Sequence, residues 1–198
     1  MTSITNEEKI RNNHELYEIE SWEDEKLDLN NNVLRGIYSF GFEKPSSIQK
    51  KALYPMTKNR HNGRRRDITA QAQSGTGKTG AFVIGSLNIL QKDINGPQVL
   101  ILAPTHELAD QTLNVVENLS RYIKDVNPTL LVGGTSVDKN KKILNTKNPK
   151  IVVGTPGRVN DLIRRKFLKT DSLSLLILDE ADEMLSSGFK DQMYKIFK

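Results

Sequence analysis

Residues 70–80 read AQAQSGTGKTG, and residues 175–182 read LLILDEAD. The first stretch has the parts of a phosphate cradle. Gly75 and Gly77 let the backbone turn its N–H groups inward, Lys78 reaches the β- and γ-phosphates, and Thr79 offers a hydroxyl to Mg²⁺. Ala72 stands where the pattern G-x-x-x-x-G-K-[ST] has its first glycine, so Ala72, Gln73, Ser74, Gly75, Thr76, Gly77, Lys78 and Thr79 are the candidate nucleotide-binding residues. The second stretch ends an apolar run in acids. Asp179 is placed to hold Mg²⁺, and Glu180 to orient and deprotonate an attacking water. Each stretch also has a plainer reading: a flexible Gly/Ser turn in one case, acids capping the next helix in the other. Together they favour a Mg²⁺–nucleotide site with Glu180, Lys78 and Asp179 in catalytic roles.

Those residues need strands that end beside one another. Short apolar runs occur at 67–72, 98–103, 129–132, 150–153 and 174–179, separated by amphipathic stretches at 77–92, 105–122, 136–145 and 157–166. Strand–helix alternation with near-continuous apolar strands predicts an α/β fold, a parallel sheet with helices on both faces. Ligands of such sheets bind beyond the carboxyl ends of the strands, where each unusual segment here falls. Ahead of this, residues 30–42 predict a short capped helix stopped at Gly41, and Pro45 opens a second with Ile48, Ala52 and Leu53 on one face. Residues 1–21 read as a flexible polar tail, and residues 22–198 as one nucleotide-binding domain.

Bulk composition excludes several classes. The chain has 198 residues, no cysteine and three scattered histidines, so neither a disulfide framework nor a thiolate or histidine metal cluster is available. No apolar run approaches ~18 residues, and the first residues lack the apolar centre of a secretion signal, so a protein with no membrane attachment is expected. The net charge of +5 is uneven. Residues 1–30 hold nine carboxylates against Lys9, Arg11 and Lys26, which leaves +11 on the rest and suits a polyanionic partner.

Six segments in order resemble the motifs of the DEAD-box ATP-dependent RNA helicases: GFEKPSSIQ (41–49), AQSGTGKT (72–79), PTHELADQ (104–111), GG (133–134), TPGR (155–158) and DEAD (179–182). That family carries Ala at the position of Ala72. The likeness covers residue 22 to the end and is strongest to the translation initiation factor four-A branch. It implies a RecA-like P-loop NTPase domain with ATP and Mg²⁺ as cofactors. Gln49, whose amide both donates and accepts, would read adenine, and an upstream aromatic, for which Trp22 is the candidate, would pack near the base. RNA would be held at Pro104, Thr105, Gly133, Gly134, Thr155, Gly157 and Arg158 through backbone N–H groups, hydroxyls and the guanidinium, without reading sequence. The expected partners are single-stranded or duplex RNA and a scaffold protein of the initiation-factor type, the expected state a monomer, and the expected compartment the cytoplasm, with the nucleus as the alternative. Two features depart from the family. His106 replaces an Arg, and an imidazole, unlike a guanidinium, carries charge only toward acid pH. Residues 59–66 form a longer loop rich in Arg, read as a solvated loop or, more sharply, as an accessory RNA patch or nuclear-import signal. The family works with two RecA-like domains. The second, and the last strands of the first, are therefore expected beyond Lys198, and this part alone is expected not to unwind RNA. A binding module without turnover remains the rival reading; a small P-loop kinase is disfavoured.

Overall fold

The computed structural model describes residues 9–10, 17–58, 60–61, 64–65, 67–186 and 188–197. The chain divides into two compact units, Met1–Ile89 and Leu90–Lys198.

The first unit is built on helices. Asn30 caps α1 (Asn31–Ser39) by accepting the Asn32 N–H at 2.9 Å. Gly41, at φ +93°, follows the helix in the left-handed region that favours glycine. Helix α2 (Ser47–Thr57) buries Ile48, Ala52 and Leu53 as expected. Helix α3 (Lys78–Asn88) buries nearly every residue from Gly80 to Leu87. The α2–α3 approach is close: a Cβ at Gly85 would lie 2.8 Å from Met56 Cε. The described end of the expected tail belongs to this unit. Ile19 is fully buried and its N–H bonds the Lys50 carbonyl at 3.1 Å, so the packed region begins before residue 22. The remaining tail residues, 1–8 and 11–16, lie outside the described residues.

The strand expected at 67–72 is shorter and differently paired. Strand β4 (Ala70–Gln71) is exposed and runs antiparallel to β1 (Lys9–Ile10) in a two-stranded sheet of its own. Asp67, Thr69 and Gln71 make it the most polar of the five expected strands, so burial on two faces does not hold it. Between α2 and β4, β2 (Arg60–His61) pairs with β3 (Arg64–Arg65). The rest of the basic loop, residues 59, 62–63 and 66, lies outside the described residues, so the patch reading of 59–66 does too.

The second unit is the parallel sheet. Strands β5 (Val99–Leu102), β6 (Thr129–Leu131), β7 (Ile151–Gly154) and β8 (Leu175–Leu178) take the spatial order β6-β7-β5-β8, every pair parallel. Strand residues alternate between faces. Leu100, Leu102 and Val152 enter a core with Leu144 of α5 (Val137–Lys147), Val159 and Leu162 of α6 (Pro156–Arg164), Met184 of α7 (Ala181–Leu185) and Met193 of α8 (Lys190–Phe197). Helix α4 (His106–Leu119) packs on β6 and β7 through Ala109, Thr112, Val116 and Leu119, spaced three and four apart. β5 and β7 are fully buried, whereas the edge strand β8 is only half-buried.

Below the sheet, the buried Lys150 donates to the carbonyls of Gln91, Lys92 and Ile94 at 2.6, 2.9 and 3.0 Å, which neutralises the cost of burying its ammonium.

Gly154 closes β7 where Leu102 and Leu131 flank it. A Cβ there would collide with the Leu131 carbonyl oxygen and lie 2.8 Å from Val159 Cγ2. Gly154→Ala is expected to lower unfolding free energy by about 1–3 kcal/mol, measured by urea denaturation. Wild-type stability would show that β6 and β7 do not meet here.

Candidate nucleotide loop and nucleic-acid cleft

In the first unit the phosphate loop leads directly into α3. Gly75 and Gly77 sit at φ +80° and +98°, so both need glycine. Thr76 folds the loop on itself, its hydroxyl donating to the Gln73 carbonyl at 2.7 Å. Lys78 and Thr79 occupy the first turn of α3, where the helix dipole favours a phosphate.

Gln49 stands behind this loop. Its Oε1 accepts the Ser46 N–H at 2.8 Å, and its Nε2 donates to the Gly77 carbonyl at 3.2 Å. It is 2% exposed, so the structure makes it a brace between the start of α2 and the loop. The brace fits only because glycines face it. A Cβ on either Gly77 or Gly80 would come within 2.8 Å of Gln49 Nε2, and one on Gly80 within 2.9 Å of Phe42 Cε2. Trp22, expected near the base, is instead core: it is 1% exposed, lies stacked near Phe42, and donates Nε1–H to the Phe42 carbonyl at 3.0 Å. Its indole fills the unit's interior with its one donor satisfied, so it presents no face to a ligand.

In the second unit the strand ends are level. Leu102 pairs with Gly154 on one side and Leu178 on the other, and Leu131 pairs with Gly154. The loops that follow therefore share one rim. Pro104, Gly133, Thr155, Gly157 and Arg158 line a single cleft of about 410 Å³ there, with His106 beside them. Two expected contacts are not among its lining. Thr105 uses its hydroxyl to cap α4, accepting the Leu108 N–H at 3.2 Å, and Gly134 is an exposed turn residue at φ +78°.

Arg158 is held in place. Its Nη1 donates to Asn140 Oδ1 and, at 3.0 Å, to Thr135 Oγ1; its Nη2 donates to the Thr135 carbonyl at 2.7 Å. Three of the five guanidinium N–H groups are thus engaged, two by Thr135 in the turn after β6 and one by Asn140 of α5, which leaves two. Sequence reasoning missed Asp161, Phe189 and Gln192, which also line the cleft. Asp161 was legible as the residue one helical turn after Arg158; Phe189 and Gln192 come from the segment after α7 and carry no local signal. Asp161 accepts from Arg165 Nε at 2.9 Å and Arg164 Nη2 at 2.8 Å, and these two guanidiniums hold its carboxyl below the usual range. The Gln192 side-chain oxygen is buried without a hydrogen-bond partner.

At the end of β8, the Asp179 N–H bonds the Leu102 carbonyl at 2.9 Å, and Thr112 Oγ1 lies 3.5 Å from Asp179 Oδ2. Glu180 takes the left-handed conformation at φ +50°, rare for a residue with a Cβ. Asp179 and Glu180 form the two-residue turn between β8 and α7. Among the described residues no three His, Asp or Glu side chains gather as a metal cage. The single carboxylate of Asp179 suits Mg²⁺, which is commonly held by one or two carboxylates and the phosphates of its nucleotide.

Residues 46–198 match the family model for DEAD/DEAH box helicases. The chain is 48% identical over 172 residues to the ATP-dependent RNA helicase eIF4A of Aspergillus fumigatus, covering 87% of this chain and 40% of that protein. It is 48% identical over 187 residues to the same-named protein of Botryotinia fuckeliana, covering 91% and 45%. Among solved structures, S. cerevisiae Dbp5 bound to RNA and ADP BeF3 superposes with a TM-score of 0.79 at 40% identity, covering 90% of this chain and 43% of that one. A DEAD box protein from the hyperthermophile Methanococcus jannaschii gives 0.79 at 37%, covering 90% and 46%. The chain spans under half the length of each of these relatives.

Both braces are open to test by amide hydrogen exchange. Gln49→Ala is expected to speed exchange across residues 73–77, and Arg158→Ala across residues 133–140, with the opposite loop unchanged in each case. Unaltered protection in both variants would mean that neither side chain holds its loop.

Proposed function

This chain belongs to the DEAD/DEAH box helicases, and on that premise we propose that the protein binds and hydrolyses ATP to clamp and locally unwind RNA, in translation initiation. The observation that carries the reading is the cleft. Five separately predicted residues, drawn from three strand ends, line one cavity. The five predicted residues among its lining, which are small residues, a threonine and Arg158, favour contact with sugar and phosphate irrespective of sequence. The chain's share of the work is ATP binding through residues 72–79, with Gln49 bracing the loop and favouring adenine through its remaining amide N–H. A scaffold protein of the initiation-factor type is the proposed protein partner.

In hydrolysis, Lys78 and the α3 N-terminus bind the phosphates. Thr79 and Asp179 would hold Mg²⁺, which when bound neutralises charge on the β- and γ-phosphates. Glu180 orients a water and takes its proton as the water oxygen bonds the γ-phosphorus; the bond from that phosphorus to the bridging oxygen breaks, releasing ADP. The left-handed Glu180 backbone holds the carboxylate at the strand end, a conformation costing about 1–3 kcal/mol that the site must sustain.

Glu180→Gln keeps the shape and removes the base. In the full-length protein with RNA present, turnover is expected to fall about 10²-fold or more while ATP and RNA binding persist; Lys78→Ala is expected to weaken nucleotide binding itself. Steady-state ATPase assays and nucleotide titrations check both. Undiminished turnover by Glu180→Gln would remove the assigned base.

A further inference from the structure

We propose that the second unit carries an accessory RNA-backbone track outside the cleft, formed by the exposed cations of α5 and of the C-terminal end of α6. The inference rests on the RNA-binding reading above. Its starting point is a charge imbalance. Residues 139–169 contain ten Lys and Arg against one carboxylate, Asp161. Lys150 and Arg158 have internal partners, as described. Lys141, Lys142, Arg164, Arg165, Lys166 and Lys169 are exposed.

Contacts make these cations continuous with the cleft. Asp161 lines the cleft and binds Arg164 and Arg165, which brings both guanidiniums to its rim. Lys166 follows at once. Phe167 comes next, and Lys141 Nζ lies 4.8 Å from its ring centroid, which joins α5 to the end of α6. A strand leaving the cleft past Asp161 therefore meets positive charge at the end of α6, in the segment that follows it and on α5. Lys and Arg side chains bind phosphate whatever the bases attached to it. Cations at the C-terminus of α6 also complement its dipole, which accounts for Arg164 and Arg165. It does not account for Lys141 and Lys142, in the middle of α5, or for Lys169.

The occupant is single-stranded RNA longer than the cleft holds. The test uses the full-length protein with a non-hydrolysable ATP analogue. Fluorescence anisotropy is measured across a salt series with two oligouridylates, one of about four nucleotides and one about five times longer. The variant carries K141Q, K142Q, K166Q and K169Q, all exposed and all outside the cleft. The long RNA is expected to lose roughly 0.7 in log–log salt slope for each lysine that contacts a phosphate, and its affinity at low salt should fall. Binding of the short RNA should not change. Replacing the same four lysines by arginine keeps the charge and should restore the long-RNA slope. Equal behaviour of wild type and the glutamine variant on long RNA would overturn the track, as would equal losses on short and long RNA. If the wild type bound neither RNA, the cleft reading would fall first and the track with it.

Discussion

Three hydrogen bonds past the strand ends fix what the second unit can do. Ala103 N–H bonds the Gly154 carbonyl at 3.0 Å, Thr155 N–H the Leu131 carbonyl at 3.1 Å, and Asp179 N–H the Leu102 carbonyl at 2.9 Å. They extend the ladders of β5, β6, β7 and β8 by one residue and so start the four following segments level. A shift of two residues in any pair would keep the faces of the sheet but move one loop by about two residue rises of 3.3 Å, off the cleft. The register is enforced by burial. β5 and β7 are apolar throughout and covered on both faces, so their backbone groups have no solvent to turn to.

Close approach is the second constraint, and glycine supplies it in both units. Gly77 and Gly80 admit the Gln49 amide, Gly85 admits Met56, and Gly154 admits the Leu131 carbonyl. In the phosphate loop the positive φ of Gly75 and Gly77 adds a conformational requirement to the steric one. The loop is thus shaped from behind, by a buried amide, as much as by its own sequence. Arg158 does the same for the turn after β6, from the first turn of α6. In each unit a polar side chain distant in sequence holds the turn that the small residues make flexible.

The positive charge of this chain is not one property. Lys150 has three carbonyl partners and is part of the core. Arg158 is a clasp with donors to spare. The exposed lysines of α5 include Lys141, which lies over the Phe167 ring, and Lys142 beside it. Only the last group is free to act on a polyanion at long range, because buried charges paired at close quarters project little field into solvent.

The sequence alone determined the chemistry and most of the elements. Six ordered motifs named the nucleotide loop, the acidic pair and the cleft residues, and apolar runs located β5, β6, β7 and β8 to within a residue or two. Those features are local: a strand ending in Asp179-Glu180, a glycine before Lys78 and a proline at the start of α6 follow from neighbours in the chain. Tertiary structure decided the pairings. It made β4 a partner of β1, turned Trp22 into core, drew the end of the tail into the first unit, committed Gln49 to the loop's back and most of Arg158 to Thr135 and Asn140, and brought Phe189 and Gln192 to a cleft whose motifs lie up to ninety residues away. The reason is the range of the forces involved. Propensity and periodicity act over a few residues and are written in each stretch, whereas a buried donor takes whichever acceptor the packed chain brings within reach, and no local pattern encodes which one that is.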